Sequence, residues 1–196
     1  MSRGVTPSQT IGPFFHRALL HEGWNDLAAS GAAGAPVVIE GRVLDGDRAP
    51  VSDAMLEIWQ ANAAGRYDHP EDLQEKGCPE RPIDPHFHGF GRIASDPDGH
   101  YCLRTIRPGA VPGTDDALQA PHINVSIFAR GLLKRLVTRM YFPDDPLNEA
   151  DPLLSALPPA RRSTLIAREV EGGTDERVLR FDIVLQGTDE TVFLDV

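Results

Sequence analysis

Seven histidines offer the chemistry most worth placing: His16, His21, His69, His86, His88, His100 and His122. Imidazole is the commonest metal ligand and the side chain that titrates nearest neutral pH. In Asp84-Pro85-His86-Phe87-His88, an extended backbone would aim both rings at one face, a geometry that can bind a metal. Two ligands make no site, however, and His-x-His in a polar loop is usually solvated. In Pro121-His122-Ile123-Asn124 a histidine and an amide share a strand face beside apolar Val125, Ile127 and Phe128. Taken alone, His122 is more often a hydrogen-bonded core histidine than a ligand. Tyr67 closes the segment Asn62-Ala63-Ala64-Gly65-Arg66-Tyr67, a glycine-containing turn after a strand, where an aromatic can cap the end of a sandwich. No nucleophile elbow, phosphate loop, dinucleotide fingerprint or zinc spacing is present, and Gly89-Phe90-Gly91 is too short a pattern to count. Cys78 and Cys102 fit no zinc or redox spacing and read as two reduced thiols.

Short extended segments must position these side chains. Candidate strands run over 37–45, 54–60, 90–95, 100–107, 122–129, 134–142, 165–171 and 177–186. Turn signals separate them, such as Asp96-Pro97-Asp98-Gly99 and, in a late hairpin, Glu171-Gly172-Gly173-Thr174. This spacing predicts an all-β sandwich with little helix, confined to Glu22–Ala29 and Pro158–Thr164. Residues 1–35 form an N-terminal arm and 36–196 the sandwich domain, with the small residues of 30–36 as linker. The arm carries Ile11, Phe14, Phe15, Leu19, Leu20 and Trp24, too apolar for a free tail, and must bury them on its own sandwich or on a partner. The chain has 196 residues, which suits one domain plus an arm. A net charge of -10 argues against nucleic acid, since phosphate binding needs clustered Lys and Arg. No apolar run is long enough to span a bilayer and none has the layout of a signal peptide, so a cytoplasmic protein is expected.

Several stretches together resemble the intradiol ring-cleavage dioxygenases. They are Leu56-Glu57-Ile58-Trp59-Gln60-Ala61-Asn62-Ala63-Ala64-Gly65-Arg66-Tyr67, Gly91-Arg92, Asp98-Gly99-His100-Tyr101, Arg104-Thr105-Ile106-Arg107-Pro108-Gly109, Pro121-His122-Ile123, Met140-Tyr141-Phe142 with Asp145-Pro146-Leu147, and Arg180-Phe181-Asp182-Ile183-Val184-Leu185-Gln186-Gly187. Catalytic members of that family hold ferric iron with two tyrosines and two histidines, a set that suits a hard cation. The resemblance puts the first tyrosine at Tyr67 and the first histidine at His122. Val111 stands where the second tyrosine is expected, and Asn124 where the second histidine is expected. A family arginine three residues before the first histidine is Gln119 here. Asp115 and Asp116 offer hard oxygens on the intervening loop, but no spacing argues that they ligate. The resemblance therefore implies a vestigial site, with no metal or cofactor in this chain.

Heteromeric members of the family pair such a chain with an iron-bearing β-type subunit. The segment from Thr6 to Phe15, the run Ala120-Pro121-His122-Ile123-Asn124 and Phe128-Ala129-Arg130-Gly131 resemble the iron-free type. The resemblance implies that Thr10, Gly12 and Pro13 line the Fe(III) partner's substrate pocket. It also implies that Arg130 lies near an anionic group of an aromatic substrate, with Arg139 as the competing candidate. Two other readings are weighed against this one. The first is a self-sufficient ferric dioxygenase using Tyr67, His122 and substitute oxygens. The second is a binding module that holds an aromatic acid without turnover. Val111 and Asn124 speak against the former, and the apolar arm against the latter.

Overall fold

A computed structural model describes residues 7, 12, 18–28, 31–73, 81–113, 117–170 and 176–195. Alternation of apolar and polar residues builds two sheets face to face. The first centres on β1 (Pro36–Leu44), which pairs antiparallel with β4 (His100–Ile106) on one side. On its other side β1 runs parallel to β10 (Arg177–Arg180) and then β11 (Ile183–Val184), and β9 (Arg168–Glu169) adds to β10. The second sheet has the order β3 (Phe90–Ala94), β2 (Met55–Gln60), β7 (His122–Phe128), β8 (Leu136–Tyr141), antiparallel throughout. A two-stranded piece, β5 (Val111–Pro112) with β6 (Leu118–Gln119), leads into β7. Among the described residues helix is scarce, with α1 (Pro70–Leu73), α2 (Pro152–Ala156), α3 (Pro159–Arg162) and the 3₁₀ turn Pro146–Glu149 as the pieces that matter here. The expected all-β sandwich with little helix is the architecture observed.

The core lies between the sheets. Val37, Ile39, Val43, Leu103 and Leu179 meet Leu56, Ile58, Ile123, Val125, Ile127 and Met140, all buried. Because side chains alternate along a strand, the inward set 123, 125, 127 of β7 leaves His122, Asn124 and Ser126 on its outer face. Gln60 joins the sheets at the end that matters for the site. Fully buried, it donates to the carbonyls of Ala61 (3.2 Å) and Ile106 (3.0 Å) and accepts from the Thr105 hydroxyl (2.7 Å). This brings the segment after β4 across the turn after β2. The two pass so closely that a Cβ on Gly65, at φ +74°, would lie 1.9 Å from the Ala110 carbonyl oxygen, so glycine is required there.

The helix expected over Glu22–Ala29 does not form. Residues 22–25 are turns, and Asp26 bridges to Arg104 at the outer edge of β4. Leu27 N–H donates to the Arg104 carbonyl and Arg104 N–H to that of Asn25, each 2.8 Å. Pairing with an open strand edge outweighs local helix propensity. Trp24 packs on Phe90, with the Arg92 guanidinium 5.5 Å from the Trp24 ring centre and 5.2 Å from that of Phe90. Residues 24–27 thus lie on the chain's own sandwich. The expected strands 165–171 and 177–186 are shorter and broken, into β9 and into β10 with β11. The late turn 171–174, Cys78 and the apolar tip of the arm lie outside the described residues.

Candidate functional site

The turn after β2 is built by Asn62, whose side-chain oxygen accepts from the N–H groups of Ala64 (2.9 Å) and Arg66 (3.0 Å) while its amide donates to the Pro82 carbonyl (2.9 Å). Arg81 clamps the same turn through the Gly65 carbonyl at 2.7 Å and Asp72 at 3.1 Å. Tyr67 emerges with its backbone N–H on Asp72 (2.6 Å) and its ring stacked on Trp59, centroids 5.5 Å apart. Its hydroxyl arrives over the outer face of β7, 3.4 Å from His122 Nε2 and 3.1 Å from Asn124 Nδ2. Val111, buried on β5, pairs in register with Gln119 of β6. The structure therefore brings Tyr67, His122 and Asn124 into direct contact at one end of the sandwich, on the strands that β5 and β6 adjoin.

His122 Nδ1 lies 2.7 Å from the Ala120 carbonyl. A carbonyl only accepts, so the proton sits on Nδ1, and the Nε2 lone pair faces the Tyr67 hydroxyl. Burial pushes the His122 pKa down to about 4, helped by the Arg139 charge, so the ring is neutral at physiological pH. Burial also holds the Tyr67 phenol above its ordinary value, partly offset by Asn124 and Arg139. Sequence reasoning named Arg139 only as a competing substrate-binding residue and Gln119 only as a lost arginine, and it missed Asp151 altogether. Arg139, the cross-strand partner of Asn124, donates from Nε to Asn124 Oδ1 (3.0 Å) and from a terminal nitrogen to Gln119 Oε1 (2.6 Å). Asp151, fully buried, accepts from Ala120 N–H (2.9 Å), the Tyr141 hydroxyl (3.0 Å) and the first turn of α2. Its sequence signal is Asp151-Pro152, an N-cap followed by proline at the first helical position.

Ferric iron does not fit this set. Valine has no donor atom, and the Asn124 amide oxygen is spent on a guanidinium. The remaining tyrosine already accepts a hydrogen bond from the Asn124 amide. Among the described residues no three His, Cys, Asp or Glu side chains gather as metal ligands. The His86-Phe87-His88 segment is a turn and not an extended strand: Asp84 accepts from His86 N–H (2.9 Å), and Phe87 is the buried member. His86 and His88 are exposed, with His88 against Asp68 at 2.8 Å. Asp115 and Asp116 lie outside the described residues.

Arg130 stands apart from this cluster. It follows the far end of β7, roughly 25 Å along the strand from His122. It is exposed and ion-paired with Asp53. Gly12 has φ +77° with no atom within 4 Å of an added Cβ, while Thr10 and Pro13 lie outside the described residues. Cys102 is a free thiol whose pKa burial raises. A larger cavity, about 680 Å³, opens between Thr164, Arg168, Arg180 and Asp182 and contains none of the ligand positions.

A sandwich that sets Tyr67 beside His122 at one end agrees with the resemblance to ring-cleaving dioxygenases read from the sequence. The chain belongs to the Dioxygenase family (Dioxygenase_C), which matches residues 11–187. It is 41% identical to the protocatechuate 3,4-dioxygenase alpha chain of Pseudomonas putida, over 97% of this chain and 96% of that one. It is 44% identical to the protocatechuate 3,4-dioxygenase beta chain of Burkholderia cepacia, over 95% of this chain and 78% of that one. Among solved structures, the dioxygenase domain of a dioxygenase–carbohydrate-binding fusion from Streptomyces sp. SirexAA-E superposes with a TM-score of 0.62 at 29% identity, covering 93% of this chain and 99% of that domain. Among the described residues no helix is long and apolar enough to cross a membrane.

Proposed function

We propose that this chain is the iron-free α-type subunit of a protocatechuate 3,4-dioxygenase. Its β-type partner holds Fe(III) and cleaves protocatechuate with O2 to 3-carboxy-cis,cis-muconate, in the cytoplasmic degradation of aromatic acids through the β-ketoadipate route. The observation that carries this reading is the substitution pattern at the ligand positions. Tyr67 and His122 remain, but Val111 and Asn124 replace the other two, and Asn124 is locked by Arg139. Overall identity does not separate an α-type from a β-type chain, since 41% and 44% are nearly equal. Near-complete mutual coverage with the α chain, 97% and 96%, favours the α-type reading.

In this reading residues 1–35 are an arm whose tip packs on the partner, and 36–196 are the sandwich. Thr10, Gly12 and Pro13 line the partner's pocket, and Arg130 faces the carboxylate of the substrate. A guanidinium pairs with a carboxylate through two parallel hydrogen bonds, which orients the ring as well as holding it. Arg130 is far too distant from Tyr67 to act on its own chain's vestigial site, so such a role belongs to a site on another chain. Arg139 is the weaker candidate, because Asn124 and Gln119 already engage two of its donors and hold it on its own chain. The test is co-expression with a β-type chain. The two should co-purify at a fixed ratio with activity on protocatechuate. Separate elution with full activity in the β fraction alone would overturn the proposal.

A further inference from the structure

We propose that the Arg139 guanidinium is this chain's internal replacement for the metal, a fixed cation that holds the vestigial ligand positions together and bars a metal ion from them. Three strands and a turn meet there, and in the catalytic relatives the resemblance implies a metal at that junction. Here one side chain does the joining. Arg139 reaches from β8 to Asn124 on β7 at 3.0 Å and to Gln119 on β6 at 2.6 Å. Asn124 carries the connection to the Tyr67 hydroxyl at 3.1 Å and to the Trp59 carbonyl at 3.2 Å, and Tyr67 continues it to His122.

The orientation of Asn124 follows from these partners. A flipped amide would set its NH2 against the guanidinium N–H groups, so the oxygen faces Arg139 and the NH2 faces the phenol. The only Asn124 atom able to ligate a metal therefore already accepts from a guanidinium, and the Tyr67 oxygen already accepts from the amide. Arginine remains charged at all accessible pH, so a trivalent ion would have to settle against a permanent like charge. Gln119 completes the exchange: at the position where the resemblance expects an arginine, an amide accepts from one. The cation here comes from β8, beside Asn124 on the ligand face.

Restoring the two lost ligand types tests this. The full chain carrying Val111→Tyr and Asn124→His is compared with the same chain carrying Arg139→Gln in addition. Both are exposed to ferrous iron in air, desalted, and read for iron per chain and for phenolate-to-iron absorption in the visible. The version that keeps Arg139 should hold at least tenfold less iron and stay colourless. Equal loading of the two, whether high or negligible, would overturn the inference. Should the substituted chains not fold, hydrogen exchange at residues 62–67 serves in the otherwise native chain. Arg139→Met should speed exchange there about tenfold and Arg139→Lys should largely restore protection, whereas equal protection in all three would overturn it.

Discussion

Lowering the pH should destabilise this protein through His122 before its carboxylates respond. The ring is 3% exposed and its pKa falls from 6.5 in the unfolded chain to about 4 in the folded one. Between those values the unfolded chain binds more protons, so stability falls as pH drops through the window and is unaffected above it. The difference amounts to about 2 kcal/mol at pH 5 and about 3 kcal/mol below pH 4. With a denaturant slope of about 2 kcal/mol/M, the urea midpoint should fall by about 1 M between neutral pH and pH 5. His122→Gln keeps a donor for the Ala120 carbonyl and an acceptor for Tyr67 but cannot titrate. Its midpoint should therefore be about 1 M less sensitive to the same pH change. Asp84, Asp144 and Glu169, whose pKa values are lowered by hydrogen bonds to backbone or arginine donors, respond at lower pH and equally in both proteins. Parallel curves for the two proteins would refute the assignment of His122 as a buried, neutral imidazole.

Arg130→Ala should reduce kcat/KM for protocatechuate in the assembled enzyme by roughly ten- to hundredfold, the worth of a lost charge-assisted hydrogen bond. Iron content should not change, and melting should shift little because the exposed pair with Asp53 contributes no more than about 1 kcal/mol; unchanged steady-state kinetics would remove Arg130 from the site. Deleting residues 1–13 should weaken assembly or substrate binding, read by gel filtration and oxygen uptake, and a fully active truncated complex would contradict the arm's role. Gln60→Leu leaves the Ile106 carbonyl and Thr105 hydroxyl without their buried partner. It should lower unfolding free energy by about 2–6 kcal/mol in a urea titration, at about 1–3 kcal/mol per orphaned group.

The main strands were legible because alternation survives in a sandwich with one buried face per sheet: 122–129 and 54–60 are nearly the observed β7 and β2. Where tertiary pairing decides, local pattern misleads. The expected helix 22–29 gives way to pairing of residues 25–27 with the edge of β4, and β5 and β6 are too short to leave a periodic trace. The residues alone left Tyr67 as a capping aromatic and His122 as a core histidine; only the family resemblance paired them, and their side chains lie 3.4 Å apart. The Arg139 network was legible in neither. It depends on the register that sets Asn124 opposite Arg139 and on the hairpin that returns Gln119 beside them, neither of which linear spacing reveals.

Iron per chain, measured together with oxygen uptake on protocatechuate, tests the central claim most directly. The chain purified alone should hold little iron and consume no oxygen, and activity should appear when an iron-bearing β-type chain is present. One iron per chain with turnover by the isolated protein would contradict the account, because Val111 and Asn124 would then not have closed the site.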